Sequence, residues 1–168
     1  MDLNSKKYRY TLERDLKNGK KKTCLFVMLN PSTADEKDDD ATTHKCANIT
    51  KKNGCGFFRV VNLFAWRATN PADLNLVNNP VGRGNDKTIL EEVKKRKAKK
   101  EKIIVAWGDG RGEVEKLEER SAEVLKLFKK ENIKVCYLKI TARENPCHPL
   151  NPNYQLPFEL KSFPLSNF

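Results

Sequence analysis

Four short apolar runs, separated by polar stretches, set the first reading of the chain. Cys24-Leu25-Phe26-Val27-Met28-Leu29 is continuously apolar, the pattern of a strand covered on both faces. Phe57 to Phe64 is rich in β-forming residues and follows the turn-prone Asn53-Gly54-Cys55-Gly56. Ile103 to Trp107 is a third run, stopped by Gly108-Asp109-Gly110, and Val135 to Ile140 is a fourth. Each predicts one strand.

Helical periodicity fills the gaps. Thr42 to Lys52 predicts three turns before the glycines. Asn85 is placed to cap a helix whose apolar face is Ile89, Leu90 and Val93 and whose far end is almost entirely Lys and Arg. Val114, Leu117, Val124, Leu125 and Phe128 recur at helical spacing between Glu113 and Lys130, a stripe that reads as core. Alternating strands and helices predict an α/β fold with a mainly parallel sheet of four strands. Tyr8, Tyr10 and Leu12 alternate ahead of Asn18-Gly19, so residues 1–22 read as a hairpin or a basic arm. The stretch 151–168, rich in proline, reads as an irregular tail.

Composition narrows the class. The 168 residues suit a single domain and can bury a core without a staple. The longest apolar run is far short of the ~20 residues that span a bilayer. The start, Met1 to Lys7, has no apolar stretch to serve as a secretory signal. Five cysteines, two of them inside apolar runs, suggest reduced thiols; the expectation is a cytoplasmic monomer. No Cys-x-x-Cys pair is present, and no metal or other cofactor is expected; Asp38-Asp39-Asp40 reads as a solvated acidic loop or a hard-cation site. Lys+Arg total 33 against 22 Asp+Glu, a formal charge of +11. That excess invites DNA or a nucleotide as partner, or simply solvates lysine-rich helices.

Ligands of open α/β sheets bind beyond the carboxyl ends of the strands, so the residues after each apolar run carry the candidate chemistry. Asn30-Pro31-Ser32-Thr33 ends the first strand because proline cannot continue the ladder. There Asn30 either holds a water or a base edge, or closes the strand with an Asx turn. Asn62 to Thr69 mixes Phe64 and Trp66 with Arg67 and Thr69, a set suited to stacking and phosphate contact; the plainer alternative puts Leu63 and Phe64 in the core. Gly108-Asp109-Gly110-Arg111-Gly112 lies between a strand and a helix, where backbone amides receive a phosphate, although it lacks a Walker signature. Ser32 as a nucleophile requires His44 or His148 as base.

Two resemblances attach to these residues. L-N-P-S-T-A-D, D-D-A-T, V-N-L-F-A-W-R-A-T, P-V-G-R-G-N-D, A-W-G and H-P-L, in that order from about Leu25 to Asn151, resemble a family of uncharacterised bacterial and phage proteins. More remotely, a strand ending in N-P, a strand followed by N-L-x-x-R-x-T and a last strand leading to a Pro-rich loop resemble the uracil-DNA glycosylase superfamily, its mismatch-specific uracil/thymine branch most closely.

That second resemblance implies a three-layer α/β/α domain that excises a deaminated or modified base from DNA. It implies Asn30 as the residue positioning the attacking water and His148 beside the leaving base. Asn145 to Leu150, with Pro149, would be the loop that enters the minor groove. Arg67 and Thr69 would contact substrate backbone or shape the pocket. Apart from the resemblance, the segments after the strands offer Pro31, Ser32, Thr33, Asp35, Asn62, Phe64, Gly108 and Arg111 as further substrate-binding candidates. The chain departs from that pattern at Ser32, where the family has Gly, and in the acidic residues near the expected DNA edge. A non-catalytic nucleic-acid or nucleotide-binding module of phage or defence context, and a small-molecule hydrolase using Ser32, remain the alternatives.

Overall fold

A computed structural model describes residues 7–33, 39–151 and 159–167. Six strands form one sheet in the order β1-β3-β2-β4-β5-β6, two more than the apolar runs predict. The central strands are β2 (Thr23–Met28), β3 (Phe57–Asn62), β4 (Lys102–Val105) and β5 (Cys136–Tyr137). β2 pairs in parallel with β3 and β4, and β4 with β5.

The two additional strands are short and sit on the outside. β1 (Leu12–Asp15) pairs antiparallel with β3, so the N-terminal stretch, expected as a hairpin or a basic arm, contributes an edge strand. β6 (Lys161–Ser162) pairs antiparallel with β5, giving the C-terminal stretch regular structure where its prolines predicted none. Neither has an apolar run, because an edge strand needs only one covered face.

β2 is buried along its whole length because helices cover both faces. Leu25, Val27 and Leu29 join one core with Ile89 and Val93 of α2 (Asn85–Ala98) and Val124, Leu125 and Phe128 of α3 (Leu117–Lys130). Cys24, Phe26 and Met28 join the other, with Cys46 and Ile49 of α1 (Ala41–Lys52). Burying each of these large side chains is worth roughly 1.5–3 kcal/mol. No helix among the described residues is long and apolar enough to cross a membrane.

The helix ends follow from local chemistry, with one correction. Asp40 caps α1: its Oδ1 accepts from Thr43 N at 2.8 Å and Thr43 Oγ1 at 2.9 Å. Asn85 does not cap α2. It is the first helical residue, 1% exposed, and its Nδ2 donates to the carbonyls of Asn62 at 2.9 Å and Leu63 at 3.1 Å. At the other ends, α1, α2 and α3 all close in the same way. The N–H groups of Cys55, Glu101 and Ile133 donate back to Thr50, Arg96 and Phe128, with Gly54, Lys100 and Asn132 left-handed between them.

Parallel strands alternating with helices give the sheet two unlike edges. The carboxyl edge collects strand ends and helix starts, and the amino edge collects strand starts and helix ends.

Candidate functional site

A cavity of about 610 Å³ opens beyond the carboxyl ends of β2, β3 and β4. That size encloses a small organic ligand. Met28, Phe58 and Val60 form its apolar floor, α1 contributes Thr43 and Cys46, and Trp107 and Gly108 stand opposite. The order β3-β2-β4 reverses the direction of winding at β2, and such switch points leave a crevice between the connecting loops.

Asn30 reaches the cavity from the end of β2. Its Nδ2 donates to the carbonyls of Pro31 at 3.0 Å and Ala68 at 2.8 Å. Both amide hydrogens are thereby used, and Oδ1 is left as an acceptor. Asn62, at the end of β3, is 4% exposed and lines the cavity, and its side-chain amide has no hydrogen-bond partner among the described residues. The backbone beneath it is clamped: Asn85 Nδ2 and the Nε of buried Arg120 (2.9 Å) share the Leu63 carbonyl.

His148 lines the cavity beside Gly108. Burial pushes its pKa down to about 4, against the opposing pull of Asp40. The imidazole is therefore neutral near pH 7. Its Nδ1 accepts from Leu150 N at 3.1 Å, so the proton resides on Nε2, which is free to donate. The close approach requires Gly108: φ is 71°, and a Cβ there would meet the His148 Cβ at 3.0 Å.

Two carboxylates share the cavity. Asp109 Oδ1 accepts from Thr141 Oγ1 at 2.7 Å and from Asn145 Nδ2 at 2.9 Å, while Asp40 holds the α1 N-terminus. Arg111 lines the mouth with a left-handed backbone, φ 57°. Its exposed guanidinium has no ion pair among the described residues. A non-glycine residue in that region costs roughly 1–2 kcal/mol.

Of the residues expected at the site, Asn30, Pro31, Ser32, Asn62, Thr69, Gly108, Arg111 and His148 line this cavity. Thr33 is hydrogen-bonded to Thr69 behind the wall. Arg67 is tied to the carbonyls of Ser32 (3.4 Å) and Thr33 (3.0 Å), bracing the loop from outside. Phe64 is a correction: it is 1% exposed in the core on the α2–α3 side of the sheet, as the plainer alternative had it. Asn145 braces Trp107 Nε1 (3.3 Å) and Asp109 and does not line the cavity.

The loop expected to enter a minor groove is packed down. Pro146 O accepts from Gly108 N at 2.8 Å, and Pro146, Cys147 and Pro149 are buried. Leu150 is its exposed apolar side chain, at 43%. Asp35 lies outside the described residues. Ser32 makes no hydrogen bond to either histidine, and His44 sits exposed on α1.

Arg9, Asp40 and Thr141 also line the cavity. Asp40 belongs to the acidic run read as a solvated loop or cation site, and Thr141 follows the fourth apolar run, where ligand-holding residues are expected. Arg9 had no signal, because only tertiary contacts bring the N-terminal stretch to this edge.

The fold and cavity define the class: a mixed α/β protein with a mostly parallel sheet and a small-ligand cavity at the carboxyl edge. Within it, the chain belongs to a family described as a protein of unknown function (DUF1643), whose model matches residues 9–150. Those bounds run from Arg9 to Leu150, both cavity residues. Comparison with curated proteins and with solved structures finds no match.

Proposed function

We propose that the cavity takes a nucleobase and that the protein hydrolyses its N-glycosidic bond, as in the excision of a deaminated or modified base from DNA. The observation that carries this reading is a set of three side-chain groups in one cavity without partners among the described residues. They are the Asn30 Oδ1 acceptor, the Asn62 amide and the His148 Nε2–H donor. Facing the cavity, these groups suit a ligand edge with an adjacent donor and acceptor. Base edges have that pattern, and Phe58 and Trp107 provide apolar surface for the ring.

In this reading Asn30 Oδ1 accepts a hydrogen bond from a water and directs its oxygen to the anomeric carbon. The C–N bond breaks with its electron pair going to the base, and the water proton passes to solvent. His148 Nε2–H donates to the base oxygen that gains charge, and a neutral donor is suited to a leaving group only partly anionic in the transition state. Arg9 and Arg111 serve the phosphates beside the target nucleotide. The three-layer, uracil-DNA-glycosylase-like architecture belongs to this same proposal.

One observation favours a non-catalytic nucleotide-binding module instead. The Asn30 Nδ2 bonds to Pro31 and Ala68 also suffice to close the strand end. The two readings separate in an assay for free base and abasic sites on nucleotides and oligonucleotides carrying uracil, hypoxanthine, xanthine or mismatched thymine. Product from the wild type and not from Asn30→Ala supports hydrolysis. Saturable nucleotide binding with no product on any substrate replaces it with the binding module.

A further inference from the structure

The positive charge of the chain is concentrated away from the cavity. Strand starts are level at the amino edge: Thr23 pairs beside Phe57, Cys24 beside Lys102, and Ile104 beside Cys136. Lys20, Lys21 and Lys22 lead into β2, and Lys51 and Lys52 end α1. Lys95, Lys99, Lys100 and Lys102 occupy the end of α2 and its turn into β4. Lys130 and Lys134 flank the turn from α3 into β5. All eleven are exposed, and none makes an ion pair among the described residues. The acidic groups nearby are already engaged: Glu101 with buried Arg96 at 2.8 Å, Glu131 with Lys94 at 3.0 Å, and Asp15 with Lys17 at 2.8 Å.

Helix dipoles do not account for this. Three helix C-termini present the equivalent of about −1.5 charges, a small fraction of the lysine charge. Lys20 to Lys22, Lys102 and Lys134 moreover stand outside any last helical turn. Lys100 also holds a left-handed backbone, φ 54°, where glycine is favoured.

We propose that this amino edge docks double-stranded nucleic acid through its phosphates, independently of the cavity. The face measures roughly 30 Å across the sheet and its two helical coverings, about one turn of duplex. A single strand needs exposed rings on which bases stack, and no aromatic residue among the described residues is exposed. A membrane surface favours apolar side chains that enter it, and the exposed large ones, Leu76 and Leu150, belong to the other edge. Lysines without a stacking or inserting partner fit sequence-independent backbone contact. The strands set the two edges about 20 Å apart, so a straight duplex on the amino edge leaves the cavity uncovered.

The test is fluorescence anisotropy of the full chain with a labelled 25-base-pair duplex between 50 and 200 mM salt. About five phosphate contacts give a logarithmic slope near −4.5, an affinity loss of about 500-fold over that range. Lys20→Glu/Lys21→Glu/Lys22→Glu and Lys99→Glu/Lys100→Glu/Lys102→Glu each weaken binding at least tenfold and flatten the slope. The corresponding Lys→Gln triples do so less, with unchanged circular dichroism. Arg83→Glu/Lys116→Glu/Arg143→Glu, equal in charge but at the carboxyl edge and outside the cavity lining, changes affinity less than threefold. Equal losses from both edges, loss from the carboxyl-edge set alone, no binding at 50 mM salt, or tighter binding to phosphatidylserine vesicles than to duplex each overturn the proposal.

Discussion

The carboxyl and amino edges of this sheet are built from the same strands and helices, yet they differ in kind. At the carboxyl edge, two amides and a neutral imidazole line a cavity, Asn30 oriented by two hydrogen bonds and His148 by one. At the amino edge, lysines stand in solvent over three closed helix ends. Chain direction is the cause. Strands running in parallel send the departing loops to one edge, where irregular backbone shapes a pocket, and the returning helix ends to the other, where basic residues gather beyond what the terminal carbonyls call for.

Each edge also has a buried arginine, and removing either tests how independent the edges are. Arg120 is 4% exposed and joins the Leu63 carbonyl to Asp86 at 2.5 Å and Glu123 at 3.2 Å. Arg96, 2% exposed, pairs with Glu101, whose other oxygen takes Thr23 N–H at 3.0 Å at the start of β2. Truncating a buried, paired charge costs about 3–5 kcal/mol. Arg96→Ala, which strands buried Glu101, is expected in that range by urea denaturation, and Arg120→Ala below it because Asp86 and Glu123 are half exposed. Combined with Asn30 function, they diverge: Arg120→Ala also weakens nucleotide binding, since Asn62 loses its clamp, and Arg96→Ala does not.

Asn30→Ala comes next. It is expected to reduce base release by about 10²–10³-fold, measured in single turnover, while duplex affinity stays unchanged. A parallel fall in duplex affinity would merge the two edges into one site.

His148 gives a pH signature confined to the cavity edge. Its folded pKa of about 4 lies below the ordinary value of 6.5, so between these pH values the unfolded chain binds more protons. The stability it contributes is present above pH 6.5 and is lost as pH falls toward 4, on the order of 2 kcal/mol for a partly exposed ring. Denaturant titrations from pH 7 to pH 4 should show this slope, and His148→Gln should flatten it.

The smallest effects pair two like conformations. Lys100→Gly and Arg111→Gly each relieve a left-handed residue and should raise stability by about 0.5–1 kcal/mol in thermal melts. Lys100→Gly then weakens duplex binding alone, and Arg111→Gly weakens nucleotide binding alone.

Much of this architecture was legible from pattern. The run Cys24 to Leu29 predicted a strand covered on both faces because only a doubly covered strand needs no polar side. Asn30-Pro31 marked the strand end because proline donates no hydrogen bond. Asn85 was misread as a cap because its amide serves two carbonyls distant in sequence, which no local window contains. Phe64 sits in a promising motif, but the chain has left β3 by then, and Leu63 and Phe64 both turn into the α2–α3 core.

Sequence by itself therefore determined the four central strands, the three long helices and the excess of lysine, since each depends on local periodicity or composition. Tertiary structure alone decided that Arg9, Asp40 and Thr141 join Asn30 and His148 around one cavity. It also decided that lysines scattered from position 20 to position 134 share the opposite edge. Those are contacts between distant segments, and the order in which strands pair sets them, not the identity of neighbouring residues.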